Sequence, residues 1–231
     1  MLLKSALEMN LALSSDFPST ANPELVARIR AVGRSPRIAW LAPAGQAGRL
    51  HYSLAKITFL AHGFTQLERV PVGVDQNDTC VGVLDGYDVV YLSGGDPLAF
   101  RHNLQRSGFD VALREFAASG RLIIGASGGA MQLTKNVSLY RLLSGPVDEV
   151  VAEHGRFDAL GLVGYEILPH LNRHKPMFQE RVQRYSERVP HDIVALADGA
   201  VAFSDDHADC HCFGQGERYR RGVRVAIGTA A

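Results

Sequence analysis

The chain has 231 residues, 46% of them hydrophobic, with 24 Lys plus Arg against 24 Asp plus Glu and three cysteines. That length buries a large core in one α/β domain, or at most two small ones. The zero formal charge leaves no basic surplus for nucleic acid and no acidic tail. Cys210 and Cys212 stand too close for an ordinary disulfide framework, so a reducing, cytoplasmic location is expected. The opening "MLLKSALEMNLALSSDF" is mildly apolar but broken by Glu8, which makes a poor signal peptide, and no stretch is long enough to span a membrane.

Residues 1–35 read as an N-terminal extension or a first helix of a single domain over 1–231. Within them, "STANPELVARIRAVG" predicts a short helix, with Asn22 as its cap, Pro23 in its first turn and Gly33 at its stop. "PRIAWLAPAG" predicts a buried strand running into a loop, and "GRLHYSLAKITFLAHGF" a helix ending at Gly63. "TQLERVPV" predicts a second strand, and "DVVYLSGGD" a third that ends in two glycines. "PLAFRHNLQRSG" and "FDVALREFAASG" predict helices, and "RLIIGAS" another strand. Continuously apolar strands alternating with helices imply a mostly parallel sheet covered on both faces. Residues 136–163 read as loop, "YEILPH" as a strand, and "KPMFQERVQRYSERVP" as an amphipathic helix. The tail from Ile193 reads as a short antiparallel edge.

Sheets of this kind place ligands beyond the carboxyl ends of their strands. Gly94-Gly95 and Ser127 fall at such ends. Gly125-Ala126-Ser127-Gly128-Gly129 fits G-x-S-x-G, in which a sharp strand-to-helix turn exposes a serine hydroxyl between small neighbours. The next backbone N–H, that of Gly128, points where an oxyanion would form. The plain alternative is a glycine-rich turn with an incidental serine. A nucleophilic serine needs a base. Among nine histidines, His170 ends a predicted strand on the same edge, with His174 four residues on. His51 and His62 fall in a predicted helix and read as structural, while His207 and His211 lie in the polar tail. Asp198, after "IVALA" and before a glycine, reads either as a plain turn residue or as the acid that orients the base, with Asp192, Asp205, Asp206 and Asp209 as competitors.

Chain order weighs on the fold. An α/β-hydrolase esterase runs Ser–Asp–His, which here would need Asp158 or Asp192 with His207 or His211. A non-catalytic ligand-binding protein is the other alternative. "DHADCHC", residues 206–212, has metal-type residues, but ligands alternating along one strand cannot close a tetrahedral site, so no metal is expected.

"VVYLSGGDPLAFRHNLQRSG", "LIIGASGGAM", "FDALGLVGYEILPHLNRH" and "VALADGAV" occur in the order seen in the peptidase E and cyanophycinase family of serine peptidases, which the chain resembles over roughly residues 37–215. The resemblance implies a class I glutamine amidotransferase-like α/β fold, no cofactor, a short peptide as substrate, and a monomer or homodimer. It implies Ser127 as nucleophile, His170 as base and Asp198 as the acid, where aspartate stands for the usual glutamate. It implies oxyanion donors from the backbone of Gly95 and Gly128, the latter replacing a customary alanine, with Gly94 and Asp96 in the adjoining loop. Where aspartyl dipeptidases of that family carry an arginine for the substrate aspartate, "MFQER" places Phe178. Specificity for amino-terminal aspartate is therefore not expected, and Arg173, His174 or Lys175 is left as a carboxylate-binding candidate.

Overall fold

The computed structural model describes residues 9–16, 22–43, 46–72, 82–204, 207 and 209–228. A strand β1 (Asn10–Ser14) precedes helix α1 (Pro23–Val32), which Asn22 caps by accepting from the Glu24 N–H and which has proline in its first turn. There follow β2 (Ile38–Ala42), α2 (Gln46–Ala61), β3 (Leu67–Pro71), β4 (Val89–Leu92), α3 (Pro97–Arg106), α4 (Phe109–Ala118), β5 (Leu122–Ala126) and α5 (Gly128–Leu133). Next come α6 (Val147–Ala152), β6 (Glu166–Leu168), α7 (Pro176–Ser186), β7 (Ile193–Leu196), β8 (Val201–Ser204), β9 (His211–Phe213), β10 (Gly216–Arg220) and β11 (Val223–Ile227).

The main sheet has the order β3-β2-β4-β5-β1-β8-β9. Its first five strands are mutually parallel, and β8 and β9 add an antiparallel edge. Alternate side chains feed two cores. Ile38, Trp40, Val89, Tyr91, Leu122 and Ile124 face Leu25 and Ile29 of α1 and Phe59 of α2. Ala39, Leu41, Val90, Leu92 and Ile123 face α3 and α4. Both faces are dry, which is why these strands read as unbroken apolar runs.

Three features depart from the sequence reading. Residues 10–14, assigned to an N-terminal extension, form β1, hydrogen-bonded between β5 and β8 inside the sheet. Five residues are too few to display a period, and burial on both faces removes the alternation that marks a strand. Residues 136–163, read as loop, contain α6 and 3-10 turns at Ser138–Leu143 and His154–Arg156, each too short for a countable helical stripe. The tail also divides. β7, β10 and β11 join β6 in a second sheet, order β11-β10-β7-β6, while β8 and β9 cross to the first.

Leu13 of β1 is fully buried. Leu13→Ala should cost about 2–5 kcal/mol in urea unfolding, the range for a truncated core leucine. A loss below about 0.5 kcal/mol, typical of surface positions, would remove β1 from the core.

Candidate active site

Ser127 follows β5 directly, and its backbone is strained, with φ 51° and ψ −117°. The glycines around it answer to close backbone approach. A Cβ at Gly125 would lie 2.6 Å from Ala130 Cα, one at Gly128 2.3 Å from the Gly95 carbonyl oxygen, and one at Gly129 2.1 Å from the Leu92 carbonyl oxygen. The Gly94-Gly95 loop after β4 is thus seated on the turn, with Gly95 itself at φ +137°. The alanine usual at the Gly128 position would collide with this loop as it stands here.

Ser127 Oγ lies 2.9 Å from His170 Nε2. His170 Nδ1 lies 2.6 Å from Asp198 Oδ1. The serine comes from the main sheet. His170 follows β6 in the second sheet, and Asp198 lies where the chain crosses from β7 to β8. Aspartate is one methylene shorter than glutamate, yet the bond is short, so the crossing itself brings the carboxylate close. A hydroxyl bonded to an imidazole whose far nitrogen meets a carboxylate is the arrangement that turns a hydroxyl into a nucleophile.

The end of β1 binds all three parts. Ser14 O accepts from the Ser127 N–H at 2.9 Å. Ser15 Oγ accepts from the His170 N–H at 2.7 Å and lies 3.3 Å from Asp198 Oδ1. Asp16 Oδ1 accepts from the Gly199 N–H at 2.6 Å. His170 sits in the left-handed region at φ 60°, a conformation that a non-glycine residue keeps only when its surroundings fix it. Sequence reasoning missed residues 14–16. The signal was an apolar run, "LAL", ending in small polar residues, the same pattern that precedes Ser127.

Asp198 has further partners. Its N–H donates to Asn172 Oδ1 at 2.8 Å, and Arg173 Nε donates to its Oδ2. Burial pushes the Asp198 carboxyl up, but the bonds and charges of His170 and Arg173 outweigh that and hold it below the usual carboxylate range. Arg173, considered above as a substrate clamp, is thereby engaged with Asp198. Asp96 caps α3, accepting from the Leu98 and Ala99 N–H groups. His174 Nε2 donates to the Pro169 carbonyl at 3.0 Å, and its ring stacks on Phe178 at 4.5 Å between centroids. Burial keeps its pKa below the ordinary histidine value.

The competing residues lie elsewhere. Asp192 is doubly bonded by Arg220, and Asp158 accepts from Asn136. His207 Nδ1 donates to Leu162 O, and Asp209 pairs with Arg218. Asp205 and Asp206 lie outside the described residues. Two spaces open onto Ser127 and His170. One is a cavity of about 90 Å³. The other is a groove of about 540 Å³, whose lining includes Trp40, Tyr91 and Arg173, and also His51, which reads as structural in the sequence.

Among the described residues, the group with metal-ligand spacing is His154, Glu166 and His191, whose ligand atoms lie within 4.8 Å of one another. It is not the Cys210–Cys212 segment that drew attention in the sequence. His154, His191 and Tyr185 all bond to Glu166 Oε1, at 2.9, 2.6 and 2.9 Å. This network anchors the start of β6, the strand whose other end leads to His170.

The model of peptidase family S51 matches residues 11–210. The chain belongs to that family. An uncharacterized peptidase of Listeria innocua is 28% identical over 138 residues, covering 56% of this chain and 65% of the relative, so the chain spans just under two thirds of that relative's length. Peptidase E of Shewanella putrefaciens is 27% identical over 166 residues, 67% of each chain. The crystal structure of a peptidase from an acI-B1 actinobacterium superimposes with a TM-score of 0.70 at 15% identity, over 100% of this chain and 98% of that one, which shows a shared fold. The class I glutamine amidotransferase-like α/β architecture expected of an S51 chain is present. No helix among the described residues is long and apolar enough to cross a membrane.

Burial pushes the Glu166 carboxyl up, and the bonds from His154 and His191 pull it further down, so its folded pKa lies below the ordinary 4.5. A depressed carboxylate pKa contributes stability that is fully present above the unfolded value and lost as pH falls through the folded one. Glu166→Gln should therefore flatten the acid limb of stability against pH below about 4.5. Equal slopes for variant and parent in urea titrations from pH 3 to about 6 would show that Glu166 carries no such linkage.

Proposed function

We propose that the protein is a serine peptidase that hydrolyses short peptides, of dipeptidase or exopeptidase type, without strict preference for amino-terminal aspartate. The observation that carries this reading is the unbroken hydrogen-bonded line from Asp198 through His170 to the strained Ser127. Ser127 Oγ attacks the scissile carbonyl carbon while His170 Nε2 takes the hydroxyl proton. Charge gathers on the carbonyl oxygen, where the backbone N–H groups of Gly95 and Gly128 stabilise it. The C–N bond then breaks, and His170 returns the proton to the departing amine. Water repeats the sequence on the acyl-enzyme, with His170 again as base, and releases the acid. Asp198 holds the Nδ1–H tautomer and stabilises the imidazolium formed in each half. Membership of family S51 supports peptide-bond hydrolysis as the reaction. Phe178, in place of an arginine, offers no guanidinium to a substrate carboxylate.

Ser127→Ala should lower kcat/KM for dipeptides by about 10⁴- to 10⁶-fold, as triad serines do. Retention of more than about a tenth of activity would move the nucleophile elsewhere. Asp198→Asn should lower kcat about 10⁴-fold by inverting the imidazole tautomer, with Asp198→Glu less impaired. Near-silence of Asp198→Asn beside a dead Asp192→Asn would reassign the acid.

A further inference from the structure

The cavity of about 90 Å³ beside Ser127 has a largely apolar wall. Met131, Leu139, Leu143, Leu168 and Phe178 supply it, and Tyr140 and His174 add polar atoms but no fixed charge. Neither lysine nor arginine lines it among the described residues. The His174 ring does not supply the missing charge. A carbonyl only accepts, so the bond to Pro169 O keeps a proton on Nε2, and burial disfavours a second one, which leaves Nδ1 with a lone pair. That lone pair repels a carboxylate, and the stacked Phe178 covers the ring face.

The two spaces at Ser127 differ in what they can hold. After the first half-reaction the acyl part remains bonded to Oγ, while the amine must leave and water must enter. The groove of about 540 Å³ suits the departing part and the incoming water. The small cavity suits the side chain that stays. Water occupies about 30 Å³ per molecule in the liquid, so the cavity has room for a side chain of roughly three or four heavy atoms. Leu143 is half exposed, so a carboxylate or ammonium of that size would be partly desolvated there, with no lysine or arginine in the lining to offset it.

Resting on the peptidase reading above, we propose that this cavity selects an uncharged aliphatic side chain of valine, leucine or methionine size on the acyl side of the scissile bond. Phe178 is the specificity-determining wall. Its ring both fills the space and leaves the site without charge.

The test is a kcat/KM series on X-Ala dipeptides with X as Ala, Val, Leu, Met, Phe, Asp and Lys, beside an Ala-X series that varies the leaving side. Labelling of Ser127 by an alkyl phosphonate is measured in parallel. Leu and Met at X should exceed Ala by at least about tenfold, the lower bound for filling an apolar pocket. They should exceed Asp and Lys by about tenfold or more, since those partly desolvate an unpaired charge. The Ala-X series should be flatter. Phe178→Ala, shown folded by an unchanged circular dichroism spectrum, should enlarge the cavity and move the optimum from Leu towards Phe. Cleavage with a flat order, or with Asp or Lys first, overturns the pocket assignment while leaving the peptidase reading in place. Stronger selection in the Ala-X series than in the X-Ala series overturns the acyl-side placement. No cleavage of any member, with Ser127 unlabelled, overturns both readings together.

Discussion

Three consecutive residues at the end of β1 hold the site in register. The nucleophile candidate hangs from the main sheet, and its two partners hang from the second sheet and from the crossing between the sheets. Two packed sheets can slide against each other by fractions of an ångström with little loss of apolar contact, because hydrophobic burial is non-directional. Hydrogen bonds remove that freedom. Ser14 fixes the Ser127 N–H, Ser15 fixes the His170 N–H and approaches Asp198, and Asp16 fixes the Gly199 N–H. Each bond contributes only about 0.5–1.5 kcal/mol net. Their joint effect is geometric. They set the distance between Ser127 Oγ and His170 Nε2 before any substrate arrives, which is what a preorganised site requires.

The strain at the site follows from the same arrangement. Ser127 and His170 both have positive φ without being glycine. Each follows a buried strand at a sharp turn of the backbone. Such conformations cost of order 1–3 kcal/mol each. The bonds from Ser14 and Ser15 end on the amides of these two strained residues. The end of β1 therefore offsets the strain where it arises. The glycines of the elbow do the same by subtraction, since side chains at Gly125, Gly128 and Gly129 would meet backbone of α5, the Gly95 loop and β4.

How much of this is legible in the sequence depends on the length of the signal. The β2–β5 strands and the α1–α4 helices show because their apolar runs are long enough, or their caps explicit enough, to display a period. Ser127, His170 and Asp198 show because each closes an apolar run at a turn. β1 does not show, since five residues buried on both faces carry neither alternation nor a helical stripe. With β1 hidden, Ser15 has no context, although it touches both His170 and Asp198. The second sheet is equally silent. Nothing local in "IVALADGAVAF" marks that its first half pairs with β6 and β10 while its second half pairs with β1. Asp198 could be placed at a strand end, but not at a crossing between sheets. The histidine pair on Glu166 is hidden for a related reason. His154, Glu166 and His191 are brought together by the register of β6 and by packing of the segments around it, not by spacing along the chain.

The electrostatics of Asp198 complete the picture. Its carboxylate lies between the His170 ring on one side and the Arg173 guanidinium on the other. A cation permanently beside this carboxylate weakens its pull on an imidazolium. The weakening is limited by exposure. The Arg173 side chain is 59% exposed and the His170 side chain 25%, and solvent screens the more exposed partner more strongly. The better-shielded His170 contact therefore keeps most of its strength when the ring gains a proton. Arg173 contributes in another way. Together with Asn172, it fixes the rotation of the carboxylate, so that one oxygen meets Nδ1 while the other is turned outward. The carboxylate is thus oriented on its solvent side by Arg173 and Asn172 and on its protein side by Ser15. An aspartate one methylene shorter than glutamate needs that double restraint more, because its reach leaves little tolerance for rotation.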